Sequence, residues 1–208
     1  MSETRPRVAI LDYQMGNLRS VQKALQLVGA QAWVASSPRE ARDADGVILP
    51  GVGAFGDAMA NLRQADFVPL LLDVVESGTP LMGICVGLQV LFEESTEMGL
   101  HRGLGIIPGR VERFPSTLVV PHVGWNQIHI RRSHVLADGV PSGSHAYFTH
   151  SYFARPADEN TVVATTDYGS HFASIVARDH VCGVQFHPEK SYRVGLNMLR
   201  NFVRSLGR

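Results

Sequence analysis

Two hydrophobic patterns alternate along the first half of the chain. Short runs that are apolar throughout are followed by stretches whose apolar residues recur every three or four positions. Residues 7–12, RVAILD, form the first such run, carry β-branched side chains and read as a buried strand. In the NLRSVQKALQLVG stretch that follows, Leu18, Val21, Leu25 and Val28 fall at helical spacing, and Gly29 supplies a C-terminal stop. AWVAS predicts a second strand and GVILPG a third. FGDAMANLRQADFVPLLLDVVESG predicts a helix interrupted near Pro69, TPLMGIC a fourth strand, and VGLQVLFEES a helix directly behind it. Strands that are apolar on both faces belong in a parallel sheet covered by helices on both sides.

The second half reads differently. GRVERF, LVVPHVGWNQIHI, AYFTHSYF, NTVVATTDY, FASIVARD and HVCGVQF are strand-like runs joined by short turns, which predicts added antiparallel or mixed strands. The chain closes on an amphipathic helix in which Leu199, Val203 and Leu206 share a face with Leu196. No repeat, low-complexity run or long linker interrupts the 208 residues, so residues 1–208 predict one α/β domain.

Composition narrows the possible partners. Hydrophobic residues make up 45% and charged residues 18%, an ordinary globular balance. Lysine plus arginine equals aspartate plus glutamate at 19 each, so no long-range field favours nucleic acid or an acidic membrane surface. The two cysteines, Cys85 and Cys182, make no disulfide framework and no C-x-x-C pair. The opening MSETRPRVAILDY reads as neither a signal peptide nor an anchor, and no apolar run approaches the ~20 residues that span a bilayer. The cytoplasm is the expected compartment.

In an open α/β sheet, ligands bind beyond the carboxyl ends of the strands, and three such ends carry candidate chemistry. Gly83-Ile84-Cys85-Val86-Gly87 has the G-x-[Ser/Cys]-x-G form of a nucleophile elbow between a strand and a helix. Flanking glycines would remove clashes at a strained turn, and the helix behind would supply N–H groups that favour thiolate. The plainer alternative is a buried core cysteine. His187, in GVQFHPEKS, follows an apolar run, and Pro188 biases it toward an extended backbone. Residues two apart on an extended segment share a side, so Glu189 can orient the imidazole; Cys85, His187 and Glu189 then form a candidate triad. Taken alone, His187 and Glu189 read better as a surface turn. His150, in FTHSY, is the second candidate base and has no acid near it in sequence. The loop LPGVGAFG offers backbone N–H groups at Val52 or Gly53 that, with the N–H of Val86, could form an oxyanion hole. It reads otherwise as a phosphate loop or a plain turn, but lacks a P-loop lysine and the third glycine of a dinucleotide fingerprint. No H-e-x-x-h type spacing calls for a metal, and no cofactor is expected.

PGVGAF, GICVGLQ and GVQFHPEKS resemble the three signatures of the class I (triad-type) glutamine amidotransferases. DYQMGNLRSV, GLGIIPGRVERF, PHVGWN and YFTHSY further resemble the branch that serves as glutaminase subunits of imidazole glycerol phosphate synthases, and the likeness runs over nearly the whole chain. The resemblance implies a flavodoxin-like open twisted sheet, mainly parallel with added antiparallel strands and helices on both faces. It implies that Cys85 attacks the side-chain amide of L-glutamine, that His187 shuttles protons, and that Glu189 orients His187. It places Gly51, Gln89, Glu97, His150, Ser151 and Tyr152 around the substrate, with backbone groups near Ser151 and Tyr152 taking the α-carboxylate. Without it, Gln89 and Glu97 read as a solvated helix face and a surface loop.

The partner the resemblance implies is a (β/α)8-barrel cyclase in a heterodimer. The cyclase uses the ammonia to make imidazole glycerol phosphate and aminoimidazole carboxamide ribotide in histidine biosynthesis. Asn17, Arg19, Trp125, Asn126, Tyr147 and Lys190 are the interface candidates, with core packing the alternative for Trp125 and a solvated charge that for Lys190. Gln14 stands where the family commonly has glycine, and Thr149 where an apolar residue is common before His150. A glutaminase for another synthase, such as the pyridoxal phosphate system, a non-catalytic scaffold, and a cysteine peptidase or γ-glutamyl hydrolase are the competing functions.

Overall fold

The computed structural model describes residues 5–206; the readings that touch residues 1–4 and 207–208 lie outside the described residues. Along the chain come β1 (Arg7–Leu11), α1 (Leu18–Leu27), β2 (Gln31–Ala35), α2 (Pro38–Ala41), β3 (Gly46–Gly51), α3 (Phe55–Gln64) and α4 (Phe67–Glu76). Then follow β4 (Leu81–Cys85), α5 (Val86–Gln89), β5 (Phe92–Ser95), β6 (His101–Arg102), β7 (Ile107–Arg113) and β8 (His122–Ile130). The remainder comprises β9 (Ser144–His150), β10 (Tyr152–Pro156), β11 (Val162–Asp167), β12 (His171–Arg178), β13 (Val181–Val184) and α6 (Tyr192–Ser205).

A nine-stranded sheet runs in the order β2-β1-β3-β4-β13-β12-β11-β8-β9. The strands from β2 to β13 in that order are parallel. Uniform apolarity explains this: β1 buries Val8, Ala9, Ile10 and Leu11 completely, and β3 buries all six of its residues. Strands of this kind need cover on both faces. Right-handed crossovers provide it, because the chain steps one way from β1 to β2 and the other way from β2 to β3 and from β3 to β4. Helices therefore cover both faces; α1 packs beside α6, and α3 beside α4. The antiparallel strands β12, β11, β8 and β9 extend the sheet.

Three elements depart from the sequence reading. The break between α3 and α4 falls at Ala65–Asp66, where Asp66 adopts a φ of 58°, and not at Pro69. Pro69 sits in the first turn of α4, where a missing N–H costs nothing. The helix expected over VGLQVLFEES is a single turn, Val86–Gln89, and Phe92–Ser95 is a strand. Leu88, Val90, Leu91 and Phe92 are all fully buried, so this run has no polar face to mark its period. The carbonyls of Val90, Leu91 and Phe92 accept from Leu104, Ile107 and Gly105 instead of from a next helical turn. AYFTHSYF is two strands that part at Ser151: β9 joins the large sheet, and β10 joins a second, four-stranded sheet in the order β10-β7-β5-β6. β10 of that second sheet packs against β12 and α5.

Gln14 adopts a φ of 66°, and its backbone N–H donates to Asp12 Oδ1 at 3.0 Å. A side chain with a Cβ costs about 1 kcal/mol in this left-handed region relative to glycine. Gln14 is exposed, so removing its side chain leaves no cavity. Gln14→Gly is expected to raise the thermal midpoint by about 2–4 °C for a domain of this size. An unchanged or lower midpoint by calorimetry contradicts that.

Candidate active site

Parallel register brings the three strand ends to one edge. Gly51 pairs with Cys85, and Val184 pairs with Ile84. The loops that carry Val52–Gly53, Cys85–Val86 and Gln185–His187 therefore leave the sheet side by side. Cys85 takes a φ of 55° with a ψ of −111°, a backbone state that side chains with a Cβ strongly disfavour. Close packing imposes it. A Cβ on Gly87 would stand 1.8 Å from the Leu49 carbonyl oxygen, and one on Gly83 would stand 2.6 Å from the Gly87 oxygen. Gly51 lies beneath this turn, where a Cβ would meet Tyr13 Oη at 2.6 Å and Gly87 N at 2.7 Å. It is not among the residues that line the cavity, and it serves as a spacer under the elbow. The helix behind Cys85 has four residues, so it offers local N–H groups but little of the macrodipole expected of a longer helix.

Cys85 and His187 open onto a cavity of about 240 Å³. Val52, Gly53 and Val86 line it together with Gln89, Glu97, Pro121, Thr149, His150, Ser151 and Tyr152. Among the described residues no cluster of His, Cys, Asp or Glu could hold a metal ion.

His187 Nδ1 and Glu189 Oε1 are 3.0 Å apart, and both side chains are buried. The local reason differs from the one expected. Pro188–Lys190 is a 3-10 turn, so Glu189 meets the ring by turning back on it and not by lying two residues along an extended strand. Ser191 Oγ donates to the His187 carbonyl at 2.7 Å and accepts from Tyr147 N at 3.0 Å, which ties the turn to β9. Among the described residues, His187 Nε2 is buried with no hydrogen-bond partner. Cys85 Sγ lies 3.9 Å from the Thr149 carbonyl and accepts from Gln185 Nε2 at 3.7 Å. Burial alone would lower the pKa of His187, but the Cys85 sulfur and the Glu189 carboxylate outweigh it and raise the imidazole to about 9. Cys182 is buried, and burial pushes its thiol up to about 12.

His150 is held differently. Its Nδ1 donates to the Tyr152 carbonyl at 2.8 Å, and its Nε2 lies 3.2 Å from His122 Nδ1. Burial is the main reason that its pKa is lowered to about 3. With both nitrogens occupied, it is no second base. Gln89 is buried, not solvated: its Nε2 donates to the Tyr152 carbonyl at 2.8 Å and to Gln185 Oε1 at 3.1 Å. Glu97 Oε2 accepts from Phe55 N at 2.7 Å, which pins the start of α3 and the loop before it. The Ser151 carbonyl accepts from Phe114 N at 3.1 Å, so the peptide carrying the Tyr152 N–H is oriented from the second sheet. Gln185 went unread in the sequence, although it lies two residues before His187 at the end of a strand, where alternation puts both on one side.

The interface candidates divide. Trp125 is 45% exposed, so it is not a core residue. It lies 5.8 Å from the Tyr147 ring, and Lys190 Nζ stands 5.9 Å over that ring. Tyr192, which the sequence reading missed, stacks on Trp125 at 5.2 Å and 5° with a backbone φ of 46°. Asn17 and Arg19 are exposed at the start of α1, and α1 packs against the turn that carries Lys190. Asn126 points to the opposite side of β8 from Trp125, with its amide committed to Asp167 O at 2.8 Å and His122 Nε2 at 3.3 Å, so it is not a surface contact beside that ring.

Residues 9–206 match the family of class-I glutamine amidotransferases. The imidazole glycerol phosphate synthase subunit HisH of Geobacter metallireducens is 49% identical over 205 residues, which cover 95% of this chain and 98% of that protein. The protein of the same name from Moorella thermoacetica is 52% identical over 195 residues, covering 94% and 93%. A crystal structure of a glutamine amidotransferase superposes with a TM-score of 0.77 at 22% identity, over 97% of this chain and 99% of that one. The PurLQS structure from Thermotoga maritima also gives 0.77, at 20% identity over 98% and 100%. These two likenesses speak for the fold.

The raised pKa of His187 carries a sign. A folded-state value of about 9, above the ordinary 6.5, stabilises the fold most fully below 6.5, and that stabilisation is lost as pH rises through 9. Glu189→Gln removes one source of the rise. Its destabilisation relative to the parent chain is expected to be largest below about pH 6.5 and to shrink toward pH 9 in urea titrations. A destabilisation independent of pH contradicts the coupling.

Proposed function

This chain belongs to the class-I glutamine amidotransferase family, and we propose that within it the chain is the glutaminase subunit of an imidazole glycerol phosphate synthase. Identity near one half over more than nine-tenths of both chains supports the subunit assignment. The chemistry rests on one observation: a cysteine on a strained elbow shares a cavity with the unpartnered Nε2 of a buried, carboxylate-backed histidine.

On this reading Cys85 gives its proton to His187 Nε2 and attacks Cδ of glutamine. The resulting oxyanion takes hydrogen bonds from Val86 N and from a backbone N–H of Val52 or Gly53. Collapse breaks the C–N bond, and the proton on His187 leaves with the nitrogen as ammonia. Water then gives a proton to His187 and attacks the thioester; glutamate departs, and the proton returns to sulfur. The balance is glutamine plus water to glutamate plus ammonia. Glu189 holds the ring and stabilises the imidazolium between steps. Gln89, Glu97 and the backbone at Ser151 and Tyr152 hold the amino-acid end of the substrate.

The partner on this reading is a (β/α)8-barrel cyclase docked on the Trp125, Tyr147 and Lys190 side, where exposed aromatics and a cation suit an interface. Ammonia freed into neutral water is mostly protonated and unreactive, so enclosure by the partner favours the synthesis. The 1–208 chain reads as one amidotransferase domain, supported by the family match over 9–206 and a continuous core. The cytoplasm suits a biosynthetic enzyme with free thiols; no helix of the described residues is long and apolar enough to cross a membrane.

Cys85→Ala is expected to abolish glutamine-dependent synthesis in the complex while ammonium salts still support the cyclase. Loss of the ammonium-driven reaction as well would make Cys85 structural. Glutaminase turnover by the parent chain is expected to rise by orders of magnitude when the cyclase and its nucleotide substrate are added; full activity of the chain alone contradicts the subunit role.

A further inference from the structure

Two histidines that play no part in the chemistry above, His150 in the cavity wall and His122 behind it, are joined in series. A carbonyl oxygen can only accept, so the 2.8 Å contact between His150 Nδ1 and Tyr152 O places the His150 proton on Nδ1. In a neutral ring Nε2 is then bare and accepts from His122 Nδ1 at 3.2 Å. His122 Nε2 is bare in turn and accepts from Asn126 Nδ2 at 3.3 Å. The Asn126 amide is itself oriented, because its Oδ1 accepts from Gln127 N at 2.7 Å and its other hydrogen goes to Asp167 O at 2.8 Å. Every donor and acceptor along this path is accounted for in one direction only.

We propose that Asn126, His122 and His150 form a one-directional hydrogen-bond chain that positions the Tyr152 carbonyl, and with it Gln89, in the wall of the substrate cavity. Gln89 spends one of its two amide hydrogens on that carbonyl, so its orientation depends on where the carbonyl points. The two histidines are positioning residues, not bases. Their setting keeps them neutral. His122 is stacked between Phe148 at 5.0 Å and Tyr168 at 4.0 Å. Phe114 and Phe172 each lie 5.2 Å from the His150 ring. Burial in this aromatic box lowers His122 to about 4 and is the main cause of the lowered His150 value. A chain of neutral hydrogen bonds that is complete in one direction also has a fixed failure mode: reversing any donor sets two acceptors face to face.

The proposal rests on the cavity being a glutamine site, and the test separates the two ideas. Nitrogen-15 imidazole spectra of the isolated chain at neutral pH are expected to show Nδ1 protonated and Nε2 bare on both histidines. Asn126→Asp replaces the terminal donor with an acceptor and is expected to move the His122 proton to Nε2. His122→Phe keeps the aromatic stack but removes the donor to His150. Both variants, assayed with the cyclase partner, are expected to raise KM for glutamine about five- to tenfold, the worth of one buried hydrogen bond, with kcat within about twofold. A His150 proton on Nε2 in the parent chain overturns the proposal. So does a folded His122→Phe with the parent KM, or a variant whose kcat falls at unchanged KM. If His122→Phe does not fold, Asn126→Asp decides the kinetic arm. Failure of the parent chain to turn over glutamine would instead strike the functional reading, with the spectra still deciding the chain.

Discussion

The strained turn at Cys85 is the constraint on which the rest of the site depends. Its φ of 55° and ψ of −111° are sustained only because Gly87 lies flat against the Leu49 carbonyl and Gly83 lies under the Gly87 oxygen. Those contacts exist because β3 and β4 pair in parallel with Gly51 beside Cys85. The sheet register thus fixes the elbow, and the elbow fixes the direction of the sulfur. A backbone state costing of order 1–3 kcal/mol persists where surrounding packing over-determines it. Here three glycines without side chains are that packing.

The same neighbourhood holds histidines in opposite electrostatic states. Burial lowers the pKa of every one of them. For His187 a carboxylate and a sulfur reverse the effect, and the ring rises to about 9. His150 meets only neutral acceptors and donors at its nitrogens, and it falls to about 3. One ring is suited to carry a proton and the other to keep a single tautomer. Environment, not residue type, separates a candidate base from a candidate brace.

Much of this was legible in the chain. The apolar strands β1, β3 and β4 stood out because full burial on both faces leaves no polar interruption, and G-I-C-V-G with H-P-E marked two strand ends. What stayed hidden had physical reasons. The run from Leu88 to Phe92 is buried on every side, so its period says nothing about helix or strand. The split of β9 from β10 turns on Ser151, a residue whose type permits either path. Asn126 and Trp125 are adjacent in PHVGWN and looked like one surface, yet strand alternation sends them to opposite sides. Glu189 reaches His187 through the 3-10 turn that begins at Pro188 and not along an extended backbone, a turn that the H-P-E spacing does not announce.

The central claim is a γ-glutamyl thioester on the elbow cysteine. Acid quenching during glutamine turnover, followed by mass spectrometry of peptides, tests it most directly. The account predicts a γ-glutamyl adduct on the peptide containing Cys85 and none on the peptide containing Cys182. Turnover without any adduct on Cys85, or an adduct on Cys182 alone, would contradict it.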